Sequence, residues 1–183
     1  MRRLKVSPLV LVLALAIVGG CGGGGGVRGG ASVQPASASS AAIAPVMLSA
    51  TAYVAMASSI DLYQVKSAQL ALERAHDPGN RAFAQRALSA HQGTSAQLSY
   101  AGRRLNLLPT ATLNPEHQAM LDALAATSDF DNTYRAQQNI VLQEGVRLHS
   151  SYAKVGQSPT LRPVAANAES VMRANLQALR NSR

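Results

Sequence analysis

From Val46 onward, apolar positions recur every three or four residues, and no stretch shows the strict alternation of a half-buried strand. After Asp77-Pro78, the residues Phe83, Ala87, His91, Thr94, Leu98, Ala101 and Leu105 fall on one continuous helical face. Tyr134, Val141, Leu148 and Tyr152 line up in the same way further along. Asp77-Pro78, Asn114-Pro115 and Ser158-Pro159 each place a capping side chain before a proline suited to a first helical position. These marks predict helices over 47–75, 78–105, 115–126, 130–155 and 163–180. A loop over 106–113 and a loose turn over 159–162 complete the pattern, because a proline five residues inside a helix would remove a backbone bond. Tight connections make neighbouring long helices antiparallel, and the longer route through the short helix is free to cross the bundle. The expected fold is all-α: an antiparallel four-helix bundle with one extra short helix, filling residues 46–183.

The first 45 residues obey different rules. Arg2, Arg3 and Lys5 precede ten uncharged apolar residues, 9–18, and Val18-Gly19-Gly20 then leads to Cys21. A charged start, a short apolar core and small residues before a cut read as a secretory signal over 1–20. Ten helical residues reach only about 15 Å, half a bilayer's hydrocarbon thickness. Residues 22–45 hold five consecutive glycines followed by Ser, Ala, Gly and Pro, with almost no large apolar side chain. Such a stretch buries too little to offset its chain entropy, so a disordered tether is expected over 21–45.

Val18-Gly19-Gly20-Cys21 resembles a bacterial lipoprotein signal, an aliphatic residue and small residues before a lipid-modified cysteine. The resemblance implies a diacylglyceryl thioether on Cys21, cleavage before it, and N-acylation by a chain such as palmitate. One acyl chain anchors marginally and several anchor firmly. Gly22 stands where an acidic residue would retain many such proteins at the inner membrane. The expected location is therefore the outer membrane, with the domain in the periplasm.

Charge and composition narrow the chemistry. The chain carries 17 Lys and Arg against 9 Asp and Glu. Beyond Cys21 the count is 14 cations against 9 carboxylates, a balance of +5. That modest excess suits contact with an anionic surface. Basic residues are not interleaved with aromatic ones, so nucleic acid is not an expected partner. A single cysteine excludes an internal disulfide framework and a cysteine-based zinc or iron–sulfur site. No Gly-x-Ser-x-Gly elbow occurs, and the glycine run lacks the Lys-Ser or Lys-Thr ending of a phosphate loop. A ferritin-type di-iron site needs inward Glu residues on two helices and Glu-x-x-His on each of the other two. Asp61, Glu73, Glu144 and Glu169 do not supply that paired set. His91 shares the apolar face of the second long helix, and His149 follows Leu142 by seven residues. These two are the candidate binding residues, with packing against neighbouring polar groups as the simpler role. His76 and His117 occupy helix ends and are expected to be exposed.

The stretch Arg81-Ala82-Phe83-Ala84-Gln85-Arg86-Ala87-Leu88 with His91, then Leu113-Asn114-Pro115-Glu116-His117-Gln118, Leu121, Phe130-Asp131 and Tyr134, resembles an uncharacterised bacterial family labelled as predicted outer-membrane proteins. The resemblance covers residues 53–179 and implies a ferritin-like bundle in the cell envelope. Members commonly carry Glu-Val-Glu where this chain has Gln64-Val65-Lys66, Asp-His at Val141-Leu142, and a histidine at Asn175. A metal held by those groups in other members would find most of its ligands missing here; only His91 keeps the family's polar type. The expected function is thus a lipid-anchored envelope protein acting as a non-catalytic binding or structural module, with no enzyme activity, cofactor or metal. Its expected partners are the membrane, through Cys21, and another envelope protein or an anionic surface. The alternatives are a metal-binding or redox protein using His91, and a periplasmic small-molecule carrier, which requires a pocket between helices.

Overall fold

A computed structural model of the chain describes residues 47–182. The expected signal, acylated Cys21 and tether lie outside the described residues. Within them the fold is all-α: α1 Ala50–Arg74, α2 Pro78–Arg103, α3 Pro115–Ala126, α4 Phe130–Val155 and α5 Arg162–Asn181. No helix among the described residues is long and apolar enough to cross a membrane.

Local chemistry sets most of the boundaries. The Ser49 hydroxyl accepts from Ala52 N–H, so α1 starts three residues later than expected. Asp77 accepts from Asn80 N–H at 2.8 Å and Asn114 from His117 N–H at 2.7 Å, each ahead of a proline in the first turn. These are two of the three capping devices visible in the sequence. Ser158-Pro159 behaves differently: the Ser158 carbonyl takes the N–H groups of Leu161 and Arg162, making a turn from which α5 departs. At the end of α2, Asn106 adopts φ 56°. Leu107 N–H returns to Gly102 O and Asn106 N–H to Arg103 O, the paired bonds of a Schellman stop. That stop ends the regular helix at Arg103, while Leu105 just beyond it still packs against the core.

The four long helices form a square in which every neighbour runs antiparallel. At one end, Asp131 of α4 accepts from His76 N–H, Asp77 N–H and Asn80 Nδ2, tying the α1–α2 turn to the start of α4. Arg135 donates to the Asn80 side chain and to the Ser182 carbonyl, bringing in the end of α5. At the opposite end, Tyr53 of α1 stacks on Tyr152 of α4 with ring centroids 3.8 Å apart. The segment between α2 and α4 runs the bundle's length, with α3 laid against α1 and α4. Arg74 fastens its far end by donating to the carbonyls of Ala125 and Thr127. This is the single-crossover arrangement of ferritin-like bundles.

Small residues on α1 and α2 (Ala57, Ala68, Ala71, Ala84, Ala87) let those backbones approach, while Tyr63, Phe83, Phe130 and Tyr134 fill the wider layer beside α4. Gly156 shows how tight the Tyr53–Tyr152 end is. A Cβ there would lie 2.5–2.6 Å from three atoms of the Tyr152 ring. The ring cannot retreat, because Tyr53 stacks on it and its hydroxyl accepts from Ser158 N–H. Gly156→Ala is expected to lower stability by about 1–3 kcal/mol, read as a shift of the urea midpoint.

Candidate functional site

The antiparallel packing of α1 on α2 brings Asp61 to His91 and Thr94, and α5 adds Asn175 from the far side of α2. All four are at least 96% buried. Their hydrogen bonds fix one another's orientation. Arg86 Nε donates to Asn175 Oδ1 at 3.2 Å, which turns the amide nitrogen toward His91 Nε2, also at 3.2 Å. Nε2 therefore accepts, the ring proton sits on Nδ1, and Nδ1 donates to Asp61 Oδ1 at 2.9 Å. Thr94 Oγ1 donates to the same carboxylate oxygen at 2.7 Å. His91 lies in the core, as its face predicted, with both ring nitrogens engaged.

His149 is also buried, on the α1–α4 side. Its Nδ1 lies 3.0 Å from the Tyr53 hydroxyl, and the rings meet edge to face. Nε2 has no protein partner. Burial lowers its pKa to about 4, against the opposing pull of the Asp61 and Glu169 carboxylates. Burial likewise pushes the phenols of Tyr53, Tyr63 and Tyr134 well above their ordinary range.

His117 corrects the expectation of an exposed helix end: it is 1% exposed. The first turn of α3 packs against α1, so Nδ1 meets Ser59 Oγ at 2.8 Å while Nε2 meets Glu144 Oε2 at 3.0 Å. The sequence marks His117 as a cap neighbour, and nothing local shows that α3 is pressed inward. His76 is exposed as expected. It stands at Glu-x-x-His spacing from Glu73, but both groups are solvent-facing at the end of α1. Among the described residues, no three His, Cys, Asp or Glu side chains converge to hold a metal.

Positions where the resemblance places family carboxylates and histidines carry neutral groups here, apart from exposed Lys66. Gln64 is fully buried, and neither atom of its amide finds a protein partner. Beside its backbone, Ser67 donates to the Gln64 carbonyl and accepts from Gln138 Nε2. Val141 and Leu142 are simply core. Asn175 is the exception, since it has been taken into the His91 network.

Two surfaces stand out. Between α1 and α2 runs a groove of about 570 Å³, closed at one end by residues 109–111, with Leu62, Val65 and Ala96 on its walls, Asp61 at its floor and Arg103 at its mouth. The second surface is the end of the bundle where α1 and α5 begin and α2 and α4 finish. Residues 47–58, 96–113 and 148–165 build it, and they contain Arg103, Arg104, Lys154 and Arg162 but no Asp or Glu. Met47, Tyr100, Leu108 and Val155 project from it, Tyr100 and Leu108 about 70% exposed. The nine Asp and Glu residues belong to other stretches of the chain, with Glu169 of α5 beside Lys154 and Asp61 sharing the groove with Arg103.

Comparison with known proteins gives two matches. The sequence profile of a family described as a domain of unknown function (DUF4142) matches residues 33–181. No curated protein matches the chain. The bundle is similar to a solved structure described as "CopM in the Cu(II)-bound form", with a TM-score of 0.62 and 16% identity over 74% of this chain and 95% of that one. At that identity the likeness concerns the fold.

Proposed function

The chain belongs to the DUF4142 family, and for this member we propose a lipid-anchored envelope module that works by binding rather than catalysis, with one end of its bundle seated on anionic lipid. The observation that carries this reading is the composition of that end. The stretches that build it carry four cations and no Asp or Glu, around exposed Tyr100, Leu108, Met47 and Val155. Lys and Arg near an anionic surface each contribute about 1 kcal/mol, and apolar side chains at the same level add burial. It is also the end at which α1 begins, so the chain running back to Cys21 leaves from the face that meets the membrane. Acyl chains on Cys21 would hold the protein at the outer membrane, and the charged end would orient it.

Vesicle co-sedimentation tests the seating. The chain from residue 22 onward, which lacks Cys21, should bind phosphatidylglycerol vesicles at low salt and ignore phosphatidylcholine vesicles. Arg103→Glu with Arg104→Glu should weaken binding at least about tenfold. Equal binding to both lipids, or an unaffected double variant, would contradict the reading. In the full chain, Cys21→Ala should release the protein from membrane fractions, and unchanged partition would refute the anchor.

Copper is the rival reading, favoured by the Cu(II)-bound fold neighbour and by the unpartnered Nε2 of His149. Among the described residues, the histidines and carboxylates do not fit it. His91 and His117 have both ring nitrogens engaged, His76 is remote at a helix end, and His149 has no converging group of ligands.

A further inference from the structure

We propose that the groove between α1 and α2 binds a small primary alkylammonium compound, with Asp61 Oδ2 as its counter-ion. Asp61 is 2% exposed. Its Oδ1 is saturated by His91 Nδ1–H and the Thr94 hydroxyl, whereas no protein group among the described residues donates to Oδ2. That oxygen belongs to a side chain lining the groove floor, and it is not among the fully enclosed polar atoms without a partner. A carboxylate held rigidly by two donors on one oxygen, with the other left toward a cleft, is a fixed acceptor for a cation.

The surroundings select the kind of cation. Ser58 lines the groove beside Asp61, and its hydroxyl proton is spent on the Val54 carbonyl. Its lone pairs are left as acceptors for a second N–H of the same ammonium. Leu62, Val65, Ala96 and Pro109 offer apolar wall to a short hydrocarbon chain. The volume, about 570 Å³, falls in the range of small-molecule clefts. A metal ion would need further charged ligands, and no such group exists among the described residues. An anion would face the Asp61 charge, and the Arg103 cation at the mouth disfavours a second positive charge on the ligand.

The test uses the chain from residue 22 onward in lipid-free buffer, so it stands or falls apart from the membrane seating. Calorimetric titration with n-hexylammonium chloride should give saturable one-site binding. Hexan-1-ol, sodium hexanoate and 1,6-diaminohexane should each bind at least about tenfold more weakly. Ser95→Phe, which fills the groove from α2 without touching Asp61, should abolish binding while thermal unfolding stays cooperative. Asp61→Asn should cost about tenfold or more, and if that variant does not fold, Ser95→Phe decides. Binding of hexanol as tight as that of hexylammonium, no saturable hexylammonium binding, or binding unchanged in Ser95→Phe would each overturn the proposal.

Discussion

His91→Ala is expected to destabilise the domain by about 3–5 kcal/mol, because it leaves a buried carboxylate short of a donor and a cavity where the ring packed. The imidazole is the middle of a chain that crosses three helices, from Arg86 through Asn175 to Asp61. Deleting it strips Asp61 of one of two donors, strands the Asn175 amide, and opens a cavity between α1, α2 and α5. Domains of this size have about 5–15 kcal/mol in total, so the variant should stand near its folding threshold. Thr94→Val, which removes only the second donor to Asp61, should cost about 1 kcal/mol. Urea midpoints measure both. Metal analysis separates this reading from its rival. A His91→Ala protein that keeps wild-type stability but loses a stoichiometric metal would make the histidine a ligand instead of a strut.

Acid should begin to destabilise the domain well above the pH at which its carboxylates titrate. The unfolded His149 imidazole takes a proton near pH 6.5, whereas in the fold it does so only near 4. Between those values the unfolded state holds more protons, so stability falls as pH falls and is unaffected above about 6.5. Full protonation across the window costs about 3 kcal/mol, the free energy of a shift of that size. Tyr53 lies against one nitrogen, and Asp61, His91 and Glu169 are the charged or titratable neighbours that bias the shift. His149→Phe keeps the ring packing and removes the titration. Its unfolding free energy should vary much less than wild type between pH 6.5 and 4, and an unchanged pH slope would refute the assignment. Below that window Asp131 adds a smaller loss of the same sign. Hydrogen bonds from Asn80 and the His76 and Asp77 backbone depress its pKa, so its contribution disappears as the carboxyl protonates.

How much of this was legible beforehand depends on the distance over which each contact is made. Helix starts at Pro78 and Pro115 were readable because Asp77 and Asn114 cap them within three residues. The Asp61 partnership was within reach as well. A hairpin turning at Asp77 pairs a residue sixteen before it with residues fourteen to seventeen after it, which are His91 and Thr94. Asn175 and Arg86, 89 residues apart, meet only because the crossover sets α5 beside α2. Tyr53 with His149, 96 apart, and His117 with Glu144 depend on the same closure. No local pattern encodes it, which is why His117 read as exposed. The cation-rich end was hidden for the same reason, since three separate stretches contribute to it.

A reporter of immersion tests that end most directly. The chain from residue 22 onward has no cysteine, so Leu108→Cys and Ser128→Cys each give a single labelling site at opposite ends of the bundle. With an environment-sensitive fluorophore on anionic vesicles, the Leu108 label should shift to the blue and resist aqueous quenchers, while the Ser128 label should stay in water. Equal responses at the two ends, or burial at Ser128 alone, would contradict the account.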